Sequence, residues 1–301
     1  MSLVRTALLS NALFSAATGV MAMAAPERVA GWLGRVPVVE VQVVGLALVV
    51  FAFVVARAAR EKRPAPGSVF VISAADLVWV AGTGPLLLLL PDRFGGSGRM
   101  LMVGVAVAVG ALAVLQLVGL ASEYAHPDRD GEYSHRLFFD IPTSASANAM
   151  WSVVSDLGSV ATHSETLRSS NLDGEPGVGA VRQCVDTKGM SWTEHCTQWE
   201  PGRSLTLRFE TGAPDFPFPF RSMTGGWIVE PLGDASTVRV WWDLMPKTRV
   251  GGGLLVAAMA VKAAPGIRRL VGTMARAADG ESVRSLESEV SLGALSGRAA
   301  R

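Results

Sequence analysis

Charge is scarce in this 301-residue sequence: only 18% of its residues are Asp, Glu, Lys or Arg, where about 25% is usual for a soluble domain. Cysteine and tyrosine occur twice each and histidine four times. Two cysteines exclude a disulfide scaffold. A net charge of +1 excludes a nucleic-acid binder of the basic kind. A hydrophobic content of 50% excludes a disordered chain. What remains is a protein with a mean hydropathy of +0.34, so its apolar residues must be concentrated somewhere.

They are concentrated at the start. Residues 1–125 hold 15 charged side chains and the other 176 residues hold 38. Thr6–Pro26, Val41–Ala56 and Met100–Ser122 are free of charge, and Pro64–Pro91 is interrupted only by Asp76. A helix needs roughly 20 apolar residues to cross the hydrocarbon of a bilayer. Four transmembrane segments are predicted, near 6–25, 37–56, 69–90 and 100–122. Arg57, Arg60, Lys62 and Arg63 crowd the loop between the second and third. Positive loops stay in the cytoplasm, so this cluster predicts a multi-pass inner-membrane protein with both termini cytoplasmic. Arg5 followed by an apolar run and Ala22-Met23-Ala24 also fits a signal peptide cleaved after Ala24. Ser10, Asn11 and Ser15 make that run rather polar for a signal core, which favours an uncleaved helix.

Asn11, Asp76 and Gln116 are candidate polar sites within the membrane, along with Gln42. An acid in mid-span costs a few kcal/mol, so Asp76 is expected to face other helices. One reading makes it a proton or ligand site. The other has it hydrogen-bonding a neighbouring helix or snorkelling to the surface. The segments Ser10–Phe14, Asp76–Val80 and Leu115–Leu120 are similar to small four-helix bacterial membrane proteins of unknown function, which implies no activity.

After a polar connector, residues 126–133, the periodicity changes. Arg136–Ile141 is a strand ended by Pro142. Ser144 is placed to cap a helix with Met150, Val153, Val154 and Leu157 on one face. Strands are predicted over 166–172, 179–186, 190–200, 203–210, 222–230 and 236–245, separated by turn residues such as Thr187-Lys188-Gly189 and Pro201-Gly202. A long helix from Gly253 to about Ala278 follows, with Pro265 inside it, and residues 279–301 form a loose tail.

Several segments carry a family resemblance: Ile141-Pro142, Trp151, Ser155-Asp156-Leu157, Gly177–Arg182, Trp192-Thr193-Glu194, Trp199–Arg203 and Gly226-Trp227. With the order of elements, they make residues 134–278 resemble the START-like (SRPBCC) superfamily, the polyketide cyclase/dehydrase and lipid-transport group. The resemblance implies an α+β helix-grip domain, a curved antiparallel sheet around the long C-terminal helix, with an apolar ligand pocket between them. The Ile141–Trp151 stretch is about two residues longer than usual, and Ala161, Thr162 and His163 stand where the family often has an aromatic.

If Thr187-Lys188-Gly189 is the turn, antiparallel pairing sets Arg182 opposite Glu194 and Cys184 opposite Trp192. Arg182 and Glu194 are then either a polar anchor in an apolar pocket or a structural ion pair. Trp192, Trp227 and Phe209 complete the expected ligand-binding set, and only one of Trp241 and Trp242 can face inward. Asp215–Phe220, three Phe interleaved with Pro and Asp, is a cavity lid, a membrane-touching gate, or a rigid loop packed on its own sheet. Glu194, His195 and Cys196 alternate faces, so no metal site is expected, and no cofactor either. His126 and His135 precede or open the domain, and His163 is a loop histidine or lies at a cavity mouth. No catalytic residue is assigned. Non-catalytic binding of a lipid, isoprenoid or polyketide-like molecule is favoured over a cyclase or dehydratase using Glu194 and Arg182. The expected partners are that ligand and the bilayer, with no nucleic acid.

Overall fold

A computed structural model describes residues 1–248 and 250–280. The chain divides into two compact units, Met1–Tyr124 and the part from Ala125 onward.

The first unit contains four helices long and apolar enough to cross a membrane: α1 (Leu3–Ala24), α3 (Val38–Arg60), α4 (Pro66–Leu89) and α5 (Gly96–Ser122). Between the first two lies a short helix, α2 (Pro26–Leu33), in a stretch left between two predicted segments. Pro26 starts it at a position where the missing N–H costs nothing, and Ala30 packs with Ala22 and Val41. Small residues set the helix spacing. A Cβ on Gly119 would sit 2.7 Å from the Cα of Val4, and one on Gly19 would sit 2.8 Å from the carbonyl of Gly45. Glycine therefore brings α5 and α3 close to α1, as small residues do at close helix–helix contacts.

The second unit is a seven-stranded antiparallel sheet in the order β1-β7-β6-β5-β4-β3-β2. Its strands are β1 (His135–Thr143), β2 (Leu167–Asp173), β3 (Val181–Asp186), β4 (Ser191–Glu200), β5 (Ser204–Phe209), β6 (Phe220–Leu232) and β7 (Ala235–Pro246). Two short helices, α6 (Ala147–Val154) and α7 (Val160–His163), join β1 to β2, and α8 (Gly252–Ala278) follows β7. The core lies between sheet and helices: Leu205, Leu207, Trp227, Val238 and Val240 meet Leu270, Val271 and Met274 of α8.

Local details depart from the expectations in three places. Pro142 does not end β1; it pairs with Thr237, because β1 is an edge strand and an edge tolerates a residue without an N–H. The cap of α6 is Ser146, whose Oγ accepts from the Ala149 N–H, while Ser144 donates to Asp279. The connector folds back on β1 through Ala125 pairing with His135, and Tyr133 reaches Thr224 with an O–O distance of 2.6 Å. The tail expected over 279–301 lies, beyond Gly280, outside the described residues.

Candidate functional site

The turn at Thr187-Lys188-Gly189 fixes the register of β3 and β4, and Arg182 pairs with Glu194 and Cys184 with Trp192. Extending those rows across the sheet aligns Leu172, Arg182, Glu194 and Phe209, then Ser170, Cys184 and Trp192. Alternation puts these side chains on the same face as Ala180 and Cys196. Those two belong to the core that includes Leu270, Val271 and Met274 of α8. Arg182 and Glu194 therefore lie on the helix-facing side, 7% and 2% exposed.

Their bonding is asymmetric. Arg182 donates to Glu194 Oε2 through Nε at 2.9 Å and again through Nη2. Trp192 donates its indole N–H to Oε1 at 2.7 Å. The carboxylate thus accepts three hydrogen bonds. Arg182 Nη1 is buried and finds no acceptor among the described residues. Burial disfavours the guanidinium charge, but the Glu194 carboxylate outweighs it and raises the pKa of Arg182 above its ordinary value. Burial pushes the Cys184 thiol up to about 11, against the pull of Arg182. Cys184 and Cys196 are free and buried.

An aromatic cluster covers one end of this row. Phe218 meets Trp192 edge-on at 5.3 Å, Phe216 at 5.4 Å and Phe209 at 6.4 Å. Phe216 is buried, and Phe220 is fully buried as the first residue of β6. The Phe-Pro segment is therefore packed on its own sheet. Trp227 lies further along the sheet in the core, packed with Leu205 and Val240. Of the paired tryptophans, Trp242 packs against the core and Trp241 takes the Arg136 guanidinium over its ring at 5.5 Å. Gly225 and Gly226 make room for them. A Cβ on Gly225 would lie 2.5 Å from Trp242, and one on Gly226 3.0 Å from Trp241.

Two histidines, His135 at the opening of the domain and His163 at the end of its short helices, are partly buried. His135 lines a cleft of about 540 Å³ with Ser134, Arg221, Met245 and Pro246. Its Nδ1 lies 2.7 Å from Ser134 Oγ, and burial lowers its pKa. No sequence signal marks that cleft, because strand pairing alone brings Arg221 and Met245 to the start of β1. His163 ends α7, with burial lowering its pKa against the opposing effect of Asp156. Its Nδ1 is buried without a partner among the described residues.

In the helical unit, Asp76 on α4 accepts from Asn11 Nδ2 on α1 at 2.7 Å and from Gln116 Nε2 on α5 at 3.1 Å, both at Oδ2. Ser15 donates to Asn11 Oδ1 at 3.1 Å and Ser73 donates to Gln116 Oε1 at 2.9 Å. All five side chains are buried. Three of the four polar residues read from the sequence thus come together, with two serines, while Gln42 is exposed.

Residues 139–279 match the family model described as polyketide cyclase/dehydrase and lipid transport. The antiparallel sheet around a long C-terminal helix is an arrangement of the helix-grip type. Among solved structures, the chain is similar to the Zhui aromatase/cyclase from Streptomyces sp. R1128, with 16% identity and a TM-score of 0.39 over 48% of this chain and 93% of that one. It is also similar to norcoclaurine synthase from Thalictrum flavum, with 12% identity and a TM-score of 0.39 over 49% and 87%. An uncharacterised protein from Bacillus thuringiensis gives 16% identity and a TM-score of 0.39 over 45% and 95%. No curated protein matches the chain.

Proposed function

We propose that residues 1–125 anchor the protein in the inner membrane with both termini cytoplasmic, and that the START-like domain, 134–278, binds an apolar molecule. The basic loop Arg57–Arg63 supports this orientation, and 126–133 serves as the connector. The ligand is a lipid, isoprenoid or polyketide-like molecule, held for transfer, presentation or sensing. A tether keeps the domain near bilayer-dissolved ligands, which raises their effective concentration at the site. Arg182, Glu194, Trp192, Trp227 and Phe209 line the site in this reading.

The observation that carries the reading is the buried Nη1 of Arg182, which has no partner among the described residues. A buried donor without an acceptor costs about 1–3 kcal/mol. A ligand oxygen at Nη1 recovers that cost, and the apolar and aromatic neighbours suit the rest of the molecule. Glu194 already cancels the guanidinium charge, so a neutral oxygen, as in a ketone, ester or alcohol, suffices. The three bonds on Glu194 also favour binding over the alternative, a cyclase or dehydratase in which Glu194 is the base. A carboxylate so engaged has little capacity left for a substrate proton. That alternative predicts turnover that Glu194→Gln abolishes while affinity survives.

The test uses the full chain in lipid nanodiscs, with native mass spectrometry and extraction of bound molecules. The wild type is expected to retain an apolar, oxygen-bearing molecule, and the variant Arg182→Leu/Glu194→Leu to retain less of it. Full retention by that variant counts against the site.

A further inference from the structure

Asp76 is the buried ionisable side chain of the helical unit, 4% exposed, ten residues into α4. That places it about 15 Å along the helix axis, at 1.5 Å per residue. No Lys, Arg or His among the described residues pairs with it. The charged groups on the helices packed against α4 are engaged elsewhere or lie near helix ends. Arg5 of α1 donates to the Ala59 carbonyl. Glu40 of α3 pairs with Arg93, and Arg57 and Arg60 lie in its last turn. Arg99 of α5 donates to the carbonyls of Phe94 and Pro91.

What surrounds Asp76 is a set of oriented neutral dipoles. Ser15 and Ser73 occupy the carbonyl ends of Asn11 and Gln116, so each amide turns its NH2 toward Asp76. Both amides donate to Oδ2, and among the described residues none donates to Oδ1. The arrangement serves either protonation state. With the group ionised, Oδ2 accepts two bonds. With a proton on Oδ1, Oδ2 becomes the carbonyl oxygen and accepts the same two.

We propose that Asp76 is a site of reversible proton binding in the helical unit, a role separate from ligand binding by the START-like domain. A hydronium ion transfers a proton to a lone pair of Oδ1: one of its O–H bonds breaks, one forms on Oδ1, a water is left and the carboxylate charge is cancelled; release reverses the step. Asn11, Gln116, Ser15 and Ser73 hold their positions throughout. Hydrogen bonds to a charged acceptor are roughly twice as strong as neutral ones. Proton uptake therefore weakens the ties of α1 and α5 to α4 without breaking them, which gives the bundle a means of responding to proton concentration.

The test is modification of the full chain in nanodiscs by dicyclohexylcarbodiimide, which attacks protonated carboxyl groups in apolar surroundings. Peptide mass spectrometry locates the adduct. An adduct on Asp76 whose yield falls as the buffer is made more alkaline is the expected result. Gln116→Leu removes a donor to the ionised form, so its yield profile is expected to move toward higher pH. An Asp76 unmodified at every pH, or modified to the same yield at every pH, overturns the proposal. Both outcomes are read on the wild-type chain, so neither depends on a variant folding.

Discussion

Glu194 in the C-terminal domain and Asp76 in the helical unit are both buried carboxylates, 2% and 4% exposed, held by opposite means. Glu194 faces a full countercharge and a tryptophan N–H, and its two oxygens take three hydrogen bonds. Among the described residues Asp76 accepts only from amides, both at one oxygen. In the first case both oxygens of the acid are engaged, and the atom without a partner among the described residues belongs to Arg182, its Nη1. In the second the open position is on the acid itself. In the proposed reading the arginine pair offers its free donor to a ligand, and the amide cradle offers an acceptor to a proton.

Breaking the arginine pair should have the largest effect. Arg182→Ala strands a buried carboxylate and is expected to cost the domain about 3–5 kcal/mol, read by chemical denaturation. Replacing both partners by leucine removes the stranded charge, and the double variant is expected to recover most of that loss. The bundle offers no such pair, and its sensitive point is helix spacing. Gly119→Ala pushes α5 off the backbone of Val4, at an expected cost of about 1–3 kcal/mol in detergent-driven unfolding. Asp76→Asn deletes no countercharge interaction. Its cost is expected to be about 0.6 kcal/mol, and less than about 1.7.

A separate effect, confined to alkaline pH, concerns Cys184, which sits beside the paired arginine. Its thiol ionises at about 11 in the fold against an ordinary 9.0. Between those values the folded chain holds a proton that the unfolded chain has lost. Stability therefore falls as pH rises from about 9 to 11, and Cys184→Ser should flatten that part of the curve. Glu194→Gln uncovers the charge of Arg182, which favours the thiolate. Faster alkylation of Cys184 in mildly alkaline buffer is the expected reading. An unchanged rate would mean that Glu194 is not what screens the guanidinium.

The pairing of Arg182 with Glu194 was legible because one short turn sets the register of a whole hairpin, and a slip of one residue would bury the other face. The four long apolar helices were legible from composition alone. Trp192 donating to Glu194 follows from two residues of separation on one face. Phe218 was not legible, since a loop has no periodicity to aim its rings, and only the folded chain shows it against Trp192. Polar residues in apolar runs marked Asn11, Asp76 and Gln116. Their joining at one oxygen depends on how three helices are rotated about their axes, which spacing does not specify. The cleft at Ser134 and His135 escaped for a similar reason: distant strand ends build it.

Titration of the full chain in nanodiscs with matched apolar ligands tests the central claim most directly. One ligand of the pair carries a neutral carbonyl and the other is its hydrocarbon counterpart, each measured on the wild type and on Arg182→Leu/Glu194→Leu. The account predicts that the wild type prefers the carbonyl ligand and that the double variant binds both alike. No binding of either ligand to a folded wild type, or a carbonyl preference that survives in the double variant, would contradict it.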